Sequence, residues 1–154
     1  MKLKGTVRVV ITDEETGEIV VDDTYENTWC DKNTHTIQWM AAYLFTTTVM
    51  PFNEKLGVAN LGNGNVPESR TDQGLQGIQR GGAGSPQFIY WGGTYIQYVF
   101  AWPTGPNITG IYEAVTNSIS PIRYFNRVWF NGTSYSKGPA QSLQLYWTIT
   151  VDGL

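Results

Sequence analysis

Ser142-Leu143-Gln144-Leu145-Tyr146-Trp147-Thr148-Ile149-Thr150-Val151 places Leu143, Leu145, Trp147, Ile149 and Val151 on one side of an extended chain and Ser142, Gln144, Tyr146, Thr148 and Thr150 on the other. Successive side chains of a β-strand point to opposite faces, so this period of two describes a strand with one face against a core. A helix would scatter the same residues around its axis. The fold is therefore read outward from this strand.

Further strand-like runs precede it. Thr6 to Ile11 and Glu18 to Val21 are β-branched runs joined by Thr12 to Gly17, whose polar residues and glycine suit a hairpin loop. Gln87 to Trp91 and Thr94 to Trp102 flank Gly92-Gly93, a dipeptide that favours a two-residue turn. Ile108 to Val115 and Ile122 to Phe130 complete the set. A helix is predicted over about 34–45, with Asn33 or Thr34 as the cap and Ile37, Met40, Ala41 and Leu44 striping one face. From Gly57 to Pro67 the sequence GVANLGNGNVP predicts a tight loop, in which Gly62 and Gly64 serve as left-handed positions. A short helical turn is predicted at Asp72 to Gln79. About seven short strands with one helix predict a mainly β fold, an antiparallel β-sandwich or partly closed barrel. One domain over 1–154 is expected, with the acidic N-terminal hairpin (1–32) and the Gly-rich stretch (57–85) as appended irregular segments.

Composition narrows the function. Between Gln76 and Leu154 the only charged residues are Arg80, Glu113, Arg123, Arg127, Lys137 and Asp152, far below the quarter, roughly, of an ordinary soluble chain. Phe88, Tyr90, Trp91, Tyr95, Tyr98, Phe100 and Trp102 crowd the predicted hairpin, and with Trp129 they form a candidate interface, because large aromatics favour protein–protein contacts. The net charge of -3 includes no basic cluster to neutralise phosphates, so nucleic acid is not an expected partner. No apolar run approaches the length that spans a bilayer and no secretion signal precedes Thr6, so neither a membrane nor export is expected. Asn107-Ile108-Thr109 and Asn131-Gly132-Thr133 then count as chance sequon matches.

Chemistry is expected to be absent. A nucleophilic triad would have to use His35, the only histidine, and one histidine with one cysteine, Cys30, does not supply a zinc site. Cys30 also excludes an intrachain disulfide. The acids from Asp13 to Asp31 read as a solvated edge that repels neighbouring strands, with Ca²⁺ at the Asp13 to Glu18 turn, where EF-hand spacing is missing, or a face docking onto a basic partner as the lesser readings. GNGN lacks the Lys-Ser/Thr of a phosphate loop. No enzyme activity, cofactor or metal is expected.

Glu113 is the exception that needs an account, because it lies in the apolar run ITGIYEAV. By alternation it shares a face with Thr109, Ile111 and Val115, and a buried carboxylate needs a partner. Arg123 and Arg127 are the nearest cations in sequence. A structural ion pair between Glu113 and Arg127, across two antiparallel strands, is predicted.

Taken in order, LGNGNVPESRTDQGLQGIQR, the aromatic hairpin, ITGIYEAV, IRYFNRVWF and SLQLYWTITV resemble a pattern in small virion proteins of tailed bacteriophages. The positions that carry the resemblance are Gly62 and Gly64, Thr71, Asp72 and Leu75, Glu113, Arg127 and Phe130, and Leu143 with Trp147 and Ile149. It covers about Leu56 to Val151. It implies a non-enzymatic structural subunit, a capsid decoration or tail protein, made in the host cytoplasm and located in the virion. It further implies partnership with other copies, as a trimer, and with a major capsid or tail protein. The competing expectation is a host-surface glycan-binding module in which Tyr90, Trp91, Tyr95 and Trp102 stack on sugars.

Overall fold

A computed structural model describes residues 2–29, 56–119, 122 and 124–152. The described residues form strands β1 (Lys2–Asp13), β2 (Ile19–Glu26), β3 (Thr28–Trp29), β4 (Leu56–Gly62), β5 (Gln79–Gly84), β6 (Pro86–Trp91), β7 (Tyr95–Trp102), β8 (Ile108–Ile111), β9 (Glu113–Ser118), β10 (Tyr124–Trp129), β11 (Tyr135–Lys137) and β12 (Gln141–Asp152). Two open, antiparallel five-stranded sheets, ordered β2-β1-β12-β7-β6 and β3-β10-β9-β4-β5, are joined by a small β8–β11 ribbon. The architecture is sandwich-like rather than a barrel. The helix predicted over about 34–45 lies outside the described residues, as do Cys30 and His35, and no described residue is helical.

The alternating strand that opened the reading is the centre of the first sheet. β12 pairs with β1 from Lys2↔Asp152 to Asp13↔Gln141 and with β7 from Leu143↔Trp102 to Thr150↔Tyr95. Its Leu143, Leu145, Trp147 and Ile149 enter the core with Val7, Val9 and Ile11 of β1 and Tyr98, Phe100 and Trp102 of β7. Ala59 and Leu61 of β4, Ala114 of β9, and Phe125 and Val128 of β10 come from the second sheet. Burial of each large apolar side chain contributes about 1.5–3 kcal/mol, so this shared layer is what holds the two sheets face to face. The N-terminal hairpin is therefore no appendage, because alternate residues of β1 are core.

The appended stretch 57–85 is also revised, since β4 and β5 are regular strands that enclose an irregular segment, 63–78. Two turns differ in detail from the expected ones. Gly92 N–H donates to Tyr95 O at 2.9 Å, so Gly93 and Thr94 form the β6–β7 turn, one residue later than expected. Asn131 and Gly132, read above only as part of a sequon, have φ of 53° and 83° and turn the chain after β10, the left-handed pair that Asn-Gly favours. In the first hairpin the Asp13 carboxylate accepts the Glu15 and Thr16 N–H groups, and Asp22 makes a bidentate pair with Arg8.

Tyr135 of β11 packs edge-on against Tyr25 of β2 and Phe130, whose own rings are tilted to each other, at centroid separations of 5.1 to 6.4 Å. Tyr135 Oη donates to Asp23 Oδ2 and shares a short hydrogen bond with Tyr25 Oη. Burial, then these hydrogen bonds, push the Tyr135 phenol above its ordinary value of 10.0. The folded pKa is the higher one, so the contribution is fully present below pH 10.0 and is lost as pH rises beyond it. Stability to urea should accordingly fall between about pH 9 and about pH 11, and fall less in Tyr135→Phe. Parallel pH profiles for the two proteins would contradict this account.

Candidate functional site

Glu113 begins β9 with no exposed surface, opposite Gly62 on one side and Trp129 on the other. Tyr112 interrupts the run read above as one strand: β8 leaves to pair with β11, and Tyr112 N–H bonds to Gly62 O at 2.9 Å. Ile111 consequently enters the apolar core while Glu113 and Val115 lie on the outer face of the second sheet, which corrects their assignment to one face. That outer face is covered by segment 63–78.

Arg127 Nε donates to Glu113 Oε2 at 2.6 Å, and both side chains are fully buried. Gln76 N–H shares Oε2 at 3.0 Å, while Oε1 accepts Gly64 N–H and Gly77 N–H, each at 2.9 Å. All four acceptor positions of the carboxylate are thereby filled. Arg127 uses all three of its nitrogens, with one terminal nitrogen on Asp72 Oδ2 at 3.0 Å and the other on Val66 O at 2.8 Å. Asp72 also accepts Ser69 N–H at 2.8 Å. One buried acid and one buried guanidinium thus tie segment 63–78 to β9 and β10 at five points. A carboxylate so enclosed has no lone pair left for a substrate, and its chemistry here is that of a clasp.

The clasp explains the glycines. Neither Gly62 nor Gly64 has a positive φ, contrary to the left-handed loop expected. They are small because the carboxylate is close: a Cβ on Gly64 would stand 2.4 Å from Glu113 Oε1 and 2.7 Å from Gly77 N. The helical turn expected at Asp72 to Gln79 is absent for a related reason, since the N–H groups of Gln76 and Gly77 are turned to Glu113. Asp72, Val66 and Gly77 escaped the sequence reading as members of the clasp. Asp72 alone carried a signal, as an acid in an otherwise uncharged TDQGLQG run.

Trp129, assigned above to an interface, also takes part in this fastening. Its N–H donates to Glu68 Oε2 and its indole Nε1–H to Asn65 Oδ1, both at 2.8 Å. Burial pushes the half-buried Glu68 carboxyl above its usual range, against the lowering effect of that backbone hydrogen bond.

The remaining interface candidates divide. Tyr98, Phe100 and Trp102 are core residues at 7, 0 and 4% exposure, and are removed from the interface because β7 is an inner strand facing the second sheet. The sugar-stacking platform loses Trp102 with them. Phe88, Tyr90 and Tyr95 stay in the open at 57, 50 and 44%, and Ile89 joins them at 54%. The side chain of Trp91, which ends β6, lies outside the described residues. Consecutive residues of a strand face opposite ways, so exposure of Phe88, Ile89 and Tyr90 together means that β6 is about half open on each face over 88–90. Among the described residues β6 is also an edge strand, with no charged residue, and the Phe88 and Tyr90 rings stack at 6.1 Å. The opposite edge, β2, carries Asp22, Asp23 and Glu26. Charges on an edge strand discourage pairing with another chain; β6 has no such protection.

No family model, curated protein or solved structure matches the chain.

Proposed function

We propose that this protein is a non-enzymatic structural subunit of a bacteriophage virion, which associates with copies of itself and docks onto a capsid or tail protein. The observation that carries the reading is β6, an uncharged, apolar strand that is an edge among the described residues and is exposed on both faces at Phe88, Ile89 and Tyr90. The order of motifs from Leu56 to Val151 supports the virion assignment. An edge of this kind offers backbone donors and acceptors and a strip of apolar surface together, the combination used when one chain adds a strand to another.

The occupant assigned to it is a second copy. The other edge of the same sheet among the described residues, β2, starts with Ile19 and Val20, exposed at 54 and 46%; its carboxylates would repel a second β2, whereas β6 carries no acid to oppose them. A contact between two different edges is head-to-tail, and head-to-tail contacts close into rings when the rotation between copies allows it. The expected ring is a trimer. Each obligate interface of this type buries on the order of 2,000 Å² or more.

Light scattering on the purified protein at micromolar concentration should give the mass of a trimer. A Phe88→Lys/Tyr90→Lys double variant should elute as a folded monomer, and antibody labelling should locate the protein on intact particles. A wild-type monomer would sink the assembly reading, and a dimer would replace the head-to-tail contact with a two-fold one.

A further inference from the structure

Segment 63–78 covers the outer face of the second sheet around Glu113 but leaves a pocket of about 260 Å³ beside it. The sheet contributes Asn60, Gln79, Val115 and Tyr124, and the covering chain contributes Gln73, Gly74, Leu75 and Gly77. Among the described residues, no charged side chain lines the space. The neighbouring clasp consumes the buried charges of this face, and the cavity is left with amides and a phenol as its main polar lining.

These groups are positioned and have capacity to spare. Asn60 Nδ2 donates to Asn117 Oδ1 at 2.7 Å, which fixes the amide plane on the half-buried floor. The Tyr124 ring lies against the backbone of Gly74, where a Cβ would stand 2.9 Å from the ring Cζ. Gly74 itself has φ of 130°, a conformation that L side chains rarely adopt, so the close seat under the ring depends on glycine. The Tyr124 hydroxyl and the Gln73 amide make no hydrogen bond to any described residue.

We propose that this pocket binds one neutral sugar residue of a glycan. An ion would find no opposite charge, and an apolar ligand would strip the amides and the phenol of water without replacing their hydrogen bonds. Hydroxyl groups that donate and accept match amides, which present both an N–H pair and a carbonyl, and a phenol, which does the same through one oxygen. The volume is below that of pockets that enclose drug-sized molecules, which limits the occupant to about one ring. The inference is independent of the assembly reading, since the pocket is on the second sheet and β6 is on the edge of the first.

The full-length chain is to be titrated with methyl glycosides of the common neutral hexoses and N-acetylhexosamines by calorimetry. Saturable, millimolar binding to at least one is expected. Tyr124→Phe, which removes a single hydroxyl, and Gln73→Ala should each weaken that binding by about fivefold to tenfold without changing Tm. The Phe88→Lys/Tyr90→Lys variant should bind as the wild type does, which separates this site from the assembly surface. Absence of saturable binding across the panel overturns the proposal, as does binding that both pocket variants leave intact. Equal affinity for a neutral Ser- and Asn-rich peptide would assign the pocket to protein instead.

Discussion

A Glu113→Gln protein is expected to lose about 3–5 kcal/mol of stability, although the substitution is nearly isosteric and opens no cavity in the core. Each carboxylate oxygen accepts two hydrogen bonds, from Gly64 and Gly77 on one and from Gln76 and Arg127 on the other. An amide nitrogen accepts none. Whichever way the substituted side chain turned, its NH₂ group would face two N–H donors, and Arg127 would lose its buried counter-charge while Asp72 remained its one acidic partner. Folded domains are stable by only about 5–15 kcal/mol, so the loss is a large share of the total.

Urea unfolding measures the global part, and trypsin cleavage at the exposed Arg70 measures release of segment 63–78 if the sheets survive without it. Arg127→Met should fall in the same range, because it leaves Glu113 and Asp72 buried without a cation. A loss below about 1 kcal/mol in both variants, with no new cleavage at Arg70, would mean that the clasp is dispensable.

The two partners of that clasp were legible in the sequence and most of its remaining members were not. Glu113 and Arg127 stand on neighbouring strands, so a lone acid in an apolar run and the nearest cation suffice to pair them. Gly64, Gln76 and Gly77 reach Glu113 through backbone N–H groups from 36 to 49 residues away, and a backbone donor leaves no mark on composition or periodicity. The period of two was decisive in β12 because Leu143, Leu145, Trp147 and Ile149, on one face, are all core. It failed at Tyr112, where the chain changes sheets inside a run that stays apolar on both sides of the break. Aromatic residues were the least legible, since Tyr98 and Tyr90 are chemically alike and only the sheet order, with β7 inside and β6 at the edge, separates the buried one from the exposed one.

Trp102→Ala tests that separation, and it is expected to lower the stability of the folded chain by about 3–5 kcal/mol. The indole is 4% exposed, bridges from β7 to the second sheet, and donates Nε1–H to Gly82 O at 2.8 Å. Gly84 lies under the ring so closely that a Cβ there would be 2.6 Å from Cζ2. Truncation therefore leaves a cavity between the sheets and removes the hydrogen bond to β5, and two strands packed around a ring cannot close fully over its absence. Phe88→Lys should behave in the opposite way. Its ring is 57% exposed, so urea stability of the monomer should change by no more than about 0.5 kcal/mol, while self-association weakens by more than about 2 kcal/mol, roughly thirtyfold in dissociation constant. Sedimentation equilibrium and urea titration on both variants read the two quantities separately. If Trp102→Ala dissociates the assembly yet leaves monomer stability untouched, the assignment of β7 to the core is wrong; if Phe88→Lys leaves association unchanged, β6 is not the surface on which copies meet.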